Sequence, residues 1–334
     1  MRKKGFLLVS SALLIASLGY LFHHRSSLAP PQSQQIKSRS IKIAQFGDVF
    51  LYAPIYIAKD AGFFKNRNLD VSFVSTGGDD KTWAAVLSGS AVAGVADPTF
   101  IAISANQGLS GKVIASIVSK APFWGITFKQ DIAPFTDPKD LKTHSVATFP
   151  SPSTAFTLQT KMFKLGGLRP NIRQGSFGTL LTILKANQAD IALEIEPNVT
   201  QALNQGANVL YGMDKIYGEF QTTGLTVPSH LINKNSSLYL DIVCSVSDAM
   251  AYIRSNHDAS VALLSKRFPE IPTKVASDAL RRMTISEVIP SNVRISKTAW
   301  DNAILLRKQV GDLDDGGEYS RFVDNSFADK CMRS

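Results

Sequence analysis

The sequence predicts an α/β protein of two lobes, each a mainly parallel sheet flanked by helices. Two observations carry that expectation. Residues 41–74 read as strand, loop, helix and strand, a βαβ unit of the kind that builds parallel sheets. The chain also has 334 residues, and at roughly 100–200 residues per domain that length suits two compact lobes, each with its own core. Ligands of such sheets bind beyond the carboxyl ends of the strands, where loops meet helix N-termini.

The first strand, Ile41-Lys42-Ile43-Ala44-Gln45-Phe46, runs through a turn containing Gly47 to a helix over residues 55–60. Pro54 suits the first helical turn, because its φ is preset and its missing N–H is not needed there. The helix stops near Gly62, and residues 69–74 form a second strand rich in β-branched and aromatic side chains. Residues 47–53 therefore lie at the mouth of a candidate site, with Phe46, Asp48, Tyr52 and Ala53 as candidate ligand contacts.

The run Ala58-Lys59-Asp60-Ala61-Gly62-Phe63-Phe64-Lys65, followed by Asn68-Leu69-Asp70-Val71, resembles the opening of substrate-binding proteins of nitrate/sulfonate/taurine-type ABC importers. Relatives that bind thiamine-precursor pyrimidines, the NMT1/THI5-like group, share it. The resemblance implies a periplasmic-binding-protein type II fold with two hinge crossings. It also implies a small-molecule ligand held between the lobes, and an ABC permease with its ATPase as partners. It covers residues 41–231 well and the remainder loosely.

Further along, Ser75-Thr76-Gly77-Gly78-Asp79-Asp80 is a strand-to-helix loop in which Asp79 or Asp80 caps the next helix. Trp83, Val86 and Leu87 recur at helical spacing and read as core. A small-residue strand over 91–96 ends at Asp97-Pro98-Thr99, where Asp97 either caps the following helix or faces a ligand, beside Thr99. Residues 113–119 form the next strand. Phe123 and Trp124, beside Pro122 and Gly125, are candidates for a stacking wall or for packing under a hinge.

Thr136-Asp137-Pro138-Lys139-Asp140-Leu141-Lys142 resembles the family's entry into the second lobe, with Thr143 in place of the usual Gly. Asp137 is placed to cap, Pro138 to take the first helical position, and Asp140 to favour the positive helix end. After a strand at 145–149, Ser151, Ser153 and Thr154 lead into a helix over 155–165. Hydroxyls and free N–H groups at a helix N-terminus suit an anion or a carbonyl oxygen. The run Lys185 to Pro197 resembles the family's strand before "Trp-Glu-Pro", with Asn187 or Gln188 for its Gly and Ile195 for its aromatic. Strand alternation puts Glu194 and Glu196 on one side, aimed at the cleft mouth, as ligand contacts or as cap and salt-bridge groups. These carboxylates and the aromatic loops favour an organic ligand with N–H donors over a bare inorganic anion.

Residues 221–231 read as the return crossing, with Thr226-Val227-Pro228 at the hinge, and the helical patterns at 238–256, 259–268, 273–283 and 296–313 are expected to cover the first lobe. The expected divisions are 41–129 with 228–315 for lobe 1, 130–227 for lobe 2, and a tail over 316–334. Ahead of them, Arg2-Lys3-Lys4 and an apolar run over 5–22 mark an export signal, either cleaved or kept as a membrane anchor. No Cys near its end offers a lipoprotein anchor. The body is expected outside the cytoplasm, and as a monomer.

The formal charge is +9. Four of the basic residues lie in the N-terminal segment, and no basic block interleaved with aromatics points to nucleic acid. Five histidines are scattered. No HExxH, Walker, GxSxG or dinucleotide motif appears, so neither a catalytic set, a metal site nor a cofactor is expected. The cysteine-rich stretch of the related fungal pyrimidine synthases is missing, and Cys244 lies in the helical cover rather than where desulfinases of this architecture carry a cleft cysteine. Cys244 and Cys331 make no disulfide scaffold of the small secreted kind, and whether they pair is left open. A membrane-anchored sensor on the same fold, and an enzyme, stand as alternatives to the transport role.

Overall fold

The computed structural model describes residues 38–332, which belong to one compact unit. The expected export or anchor segment lies outside the described residues. Among the described residues no helix is long and apolar enough to cross a membrane.

Ten strands build two sheets: β1 (Arg39–Gln45), β2 (Leu69–Ser75), β3 (Ala93–Ala96), β4 (Gly111–Lys120), β5 (Trp124–Thr127), β6 (Val146–Thr148), β7 (Ile172–Gln174), β8 (Ile191–Glu194), β9 (Asn208–Gly212) and β10 (Glu219–Pro228). The strand orders are β2-β1-β3-β10-β4 and β7-β6-β8-β5-β9. In the first, β1 runs parallel to β2 and β3, while β10 is antiparallel to β3 and β4. The second repeats the scheme, with β5 antiparallel to β8 and β9. Each sheet is thus mainly parallel, as expected, and takes one antiparallel strand from the segment that has just crossed into it.

That insertion moves the crossings. Because β5 lies in the second sheet and β10 in the first, the chain passes between the sheets over 121–123 and over 213–218. The expected divisions at 129/130 and 227/228 sit downstream of these points, and Thr226-Val227-Pro228 lies inside a strand rather than at a hinge. Gly125 in β5 leaves room for the Tyr211 ring of β9, since a Cβ there would stand 2.3 Å from it. The turn before β8 is settled too: Asn187 takes φ 54°, a left-handed conformation in which Asn substitutes tolerably for Gly.

Local chemistry explains the helix starts. Asp137 and Asp140 form a reciprocal capping box around Pro138–Thr143. Ser153 caps Thr154–Leu165 and Ser296 caps Lys297–Val310. Helix Ser236–Ser255 buries Tyr239, Ile242, Val243, Val246 and Met250 at helical spacing, and this stripe lies against helix Ala53–Asp60 under the first sheet.

The C-terminal cover reaches further than expected. Helix Thr273–Ile285 packs on Asn198–Leu203 of the second lobe, and Lys297–Val310 contacts Thr154–Leu165. The expected tail after Gly316 is integral through its described residues. It forms helices Tyr319–Phe322 and Ser326–Cys331, and its Phe322, Val323, Phe327 and Ala328 are buried. Those apolar side chains bury more surface docked than free, so the segment is not a loose extension. Cys331 is joined to Cys244 by a disulfide across 87 residues.

A disulfide typically stabilises a fold by roughly 2–4 kcal/mol, toward the upper end for a loop this long. Cys331→Ser, or reduction of the native protein, is expected to lower the unfolding free energy by that amount in a urea titration. Equal stability with and without reductant would remove the disulfide from the account.

Candidate functional site

A cleft of about 910 Å³ lies between the sheets. The first lobe lines it with Phe46, Gly47 and Tyr52 after β1, with 75–81 after β2, and with Asp97 and Phe100 after β3. The second lobe contributes 149–155 after β6, Ser176 and Phe177 after β7, and Ile195 after β8. Phe123, Thr222 and Thr223 lie at the crossing strands. Nearly every lining segment therefore follows the carboxyl end of a strand, the position where open α/β sheets hold ligands.

At the cleft's inner edge a buried arginine joins the lobes. Arg307, on helix Lys297–Val310, is 1% exposed. Its Nη2 donates to Asp97 Oδ2 at 2.7 Å and to Thr154 Oγ1 at 3.4 Å. Nη1 donates to Asp312 Oδ2 at 2.8 Å and to the Pro152 carbonyl at 3.3 Å, and Nε donates to Thr99 Oγ1 at 3.1 Å. A guanidinium has five N–H groups, and all five are used. Asp97 is equally saturated: Oδ1 accepts from the Thr99 N–H at 2.8 Å and from Thr99 Oγ1 at 2.6 Å, and Oδ2 also accepts from Thr154 Oγ1 at 2.6 Å. Asp97 and Thr99 belong to the first lobe, Pro152 and Thr154 to the second. Asp97 lines the cleft and its Oδ1 holds the Thr99 N–H in the turn into Phe100–Ile103, whose N-cap is Thr99 without a side-chain cap, so Asp97 does not cap that helix.

Asp79 lies beside this network. Its Oδ1 accepts from the Asp97 N–H at 3.0 Å, so it ties two loops together instead of capping its own helix, whose N-cap is Gly78. Burial, and then the nearby Asp97 carboxylate, push its pKa up to about 7. Tyr52 stays a phenol, since burial and then the Asp79 carboxylate raise it well above its usual value.

Of the residues expected from sequence, Phe46, Tyr52, Asp97, Phe123, Ser151, Ser153 and Thr154 line the cleft. Six do not. Asp48 is exposed and accepts from Gln45 Nε2 at 2.8 Å. Ala53 is packed in the core, Trp124 is buried in β5, and Thr99 is sealed between Asp97 and Arg307. Glu194 and Glu196 turn away from the cleft, and Ile195 lines it instead. The reason is charge satisfaction. Glu196 accepts from the Thr200 N–H at 3.0 Å and Thr200 Oγ1 at 2.9 Å, and pairs with Arg282 at 2.7 Å. Glu194 Oε2 accepts from the Ile195 N–H at 3.1 Å and Asn198 Nδ2 at 3.3 Å, while its Oε1 is buried with no hydrogen-bond partner among the described residues. Burial pushes the Glu194 carboxyl up to about 7.

Sequence reasoning read Asp79 and Asp80 only as cap candidates, although both line the cleft, and it passed over Phe149, Phe177 and Arg307. One signal for Arg307 was legible: Trp300, Ala303 and Ile304 are buried on its helix, and a residue three or four positions on falls on the same stripe. A basic residue there needs an internal partner.

The model of the NMT1/THI5-like family matches residues 50–260. A solved protein of Bordetella bronchiseptica RB50 superposes with TM-score 0.70 at 18% identity, over 88% of this chain and 97% of its own. The periplasmic aliphatic sulphonate-binding protein SsuA of Escherichia coli gives TM-score 0.66 at 17% identity, over 82% and 91%. The periplasmic nitrate-binding protein NrtA of Synechocystis PCC 6803 gives 0.68 at 15% identity, over 89% of each chain. At these identities the likeness is one of fold. YtlA of Bacillus subtilis (strain 168), provisionally named a binding protein, is 43% identical over 75 residues, so the match spans 22% of that relative's length.

Removing one partner of a buried ion pair strands the other charge, at roughly 3–5 kcal/mol. Arg307→Met is therefore expected to lower the unfolding free energy by that amount, and a loss under 1 kcal/mol would show the network to be dispensable. Glu194 has a second signature. Its folded pKa lies above its ordinary 4.5, so the folded state holds the proton longer than the unfolded chain does. Stability at this site is therefore present at low pH and falls as pH rises from about 4.5 to about 7. Glu194→Gln is expected to flatten that slope in urea midpoints measured across the window; an unchanged slope would place the titration elsewhere.

Proposed function

Because this chain belongs to the NMT1/THI5-like family, we propose that it is an extracytoplasmic solute-binding protein that captures a small organic ligand between its lobes and delivers it to an ABC permease and its ATPase. The observation that carries the reading is the cleft itself, about 910 Å³ and lined from both sheets at their strand ends. A ligand touching both walls favours the closed form by its extra affinity for that form and by nothing else. Two crossings, at 121–123 and 213–218, allow hinge motion of the lobes.

The proposed role is binding, not catalysis. Among the described residues, those lining the cleft include no His and no Cys, and both cysteines are spent in the disulfide. That disulfide also supports a location outside the cytoplasm, where such bonds persist. In this reading the N-terminal segment serves as export signal, either cleaved or kept as an anchor. The lining favours an organic ligand over nitrate or another bare anion. Rings from both lobes face the cavity, and Phe149 and Phe177 at its mouth lie 5.9 Å apart.

A thermal-melt screen of the purified protein against sulfonates, nitrate, pyrimidines, flavins and amines tests this. Ligand at about 100 times its Kd is expected to add roughly 2.7 kcal/mol of stability. Phe177 is 46% exposed, so Phe177→Ala is expected to leave the ligand-free melt nearly unchanged while weakening binding by about tenfold, the worth of one aromatic contact. Cooperative unfolding with no shift from any compound would sink the binding role.

A further inference from the structure

We propose that the ligand is an organic cation, with its positively charged nitrogen seated against Asp79 and its apolar body among the cleft's rings. The inference rests on the binding role argued above and concerns the sign of the charge that the cleft selects.

Among the described residues, the cleft is lined by three carboxylates, Asp79, Asp80 and Asp97, and by one basic side chain, Lys81. Asp97 is neutralised by Arg307. Arg307 cannot serve an anion in turn, because its five N–H groups are already committed to Thr99, Pro152, Asp312, Asp97 and Thr154. The remaining lining charges sum to a net negative.

The natural place for an anion in such a cleft is the N-terminus of helix Thr154–Leu165. Here the protein's own Asp97 carboxylate takes up the Thr154 hydroxyl at that terminus. The Thr154 hydroxyl donates to Asp97 at 2.6 Å, and the Ser153 hydroxyl oxygen accepts from the Phe156 N–H at 3.3 Å. A sulfonate or nitrate placed there would find the Thr154 hydroxyl and the Arg307 guanidinium already committed to Asp97, with no cationic N–H left to pair with it.

Asp79 is the opposite case. Its Oδ1 holds the Asp97 N–H, while its Oδ2 has no hydrogen-bond partner among the described residues, and no basic side chain forms an ion pair with it. It lines the cavity. Asp79 is half-buried, and the desolvation that pushes its pKa up to about 7 is offset when an entering cation pairs with the open oxygen. Phe46, Tyr52, Phe123, Phe149 and Phe177 present rings to the same space, and aromatic faces attract cations more strongly once water is displaced.

Three compounds of one shape test the sign: benzamidine as cation, benzamide as neutral isostere and benzenesulfonate as anion, each added to the full chain in a thermal melt, with choline as a non-planar cation. The expected result is an upward shift with benzamidine or choline and at least tenfold weaker binding in Asp79→Asn, whose ligand-free melt matches or exceeds the parent. A shift as large with benzamide or benzenesulfonate, or a cation shift that survives Asp79→Asn, overturns the proposal while leaving the binding role standing. If no cation binds but another compound in the broader screen does, the sign is again wrong. Silence from every compound overturns the binding role and this inference with it.

Discussion

The Arg307–Asp97 ion pair is the constraint on which the site depends. A guanidinium and a carboxylate are taken out of water together, which is tolerable only when every remaining donor and acceptor is satisfied. Satisfying them draws groups from three separate segments: the turn after β3, the turn after β6, and a helix from the far end of the chain. The inner edge of the cleft is therefore held by protein–protein hydrogen bonds, and the ligand space begins outside them. Asp79 takes its position from the same network through the Asp97 N–H.

The two sheets supply the frame for that arrangement. Each takes its antiparallel strand directly after a crossing, so β5 and β10 stand inside the sheets with neighbours on both sides. A strand paired on both sides is a firm base, and the chain passes between the sheets in the short segments between β4 and β5 and between β9 and β10. Asp97 and Thr154 approach across the lobes, so in the proposed binding role the network contributes to the equilibrium between open and closed forms. A ligand then shifts that equilibrium only through contacts that differ between the two.

Much of the fold was legible because local signals and burial agree. The βαβ unit at the start follows from Pro54 and the Leu69–Ser75 β-branched run, and the second lobe's entry follows from the Asp137-Pro138-Asp140 capping box. The crossings were misplaced because a strand's alternation reports its faces and not which sheet it joins. The end of the chain was misread because its apolar residues are few and short-spaced, and their burial depends on partners far away, including Cys244.

For the site, the residue types at strand ends and helix starts were determined by the sequence itself: Phe46, Tyr52, Asp97, Ser153 and Thr154 occur in loops whose position any parallel sheet of this kind dictates. What only the tertiary structure decided is where charge goes. Glu194 and Glu196 stand at a strand end by sequence, yet they face Asn198, Thr200 and Arg282 rather than the cleft. Arg307, distant in sequence, neutralises Asp97, and Asp79 is left with an open oxygen. A buried charge is placed by whichever partners can satisfy it, and those partners are brought together by the fold rather than by the spacing of neighbours along the chain.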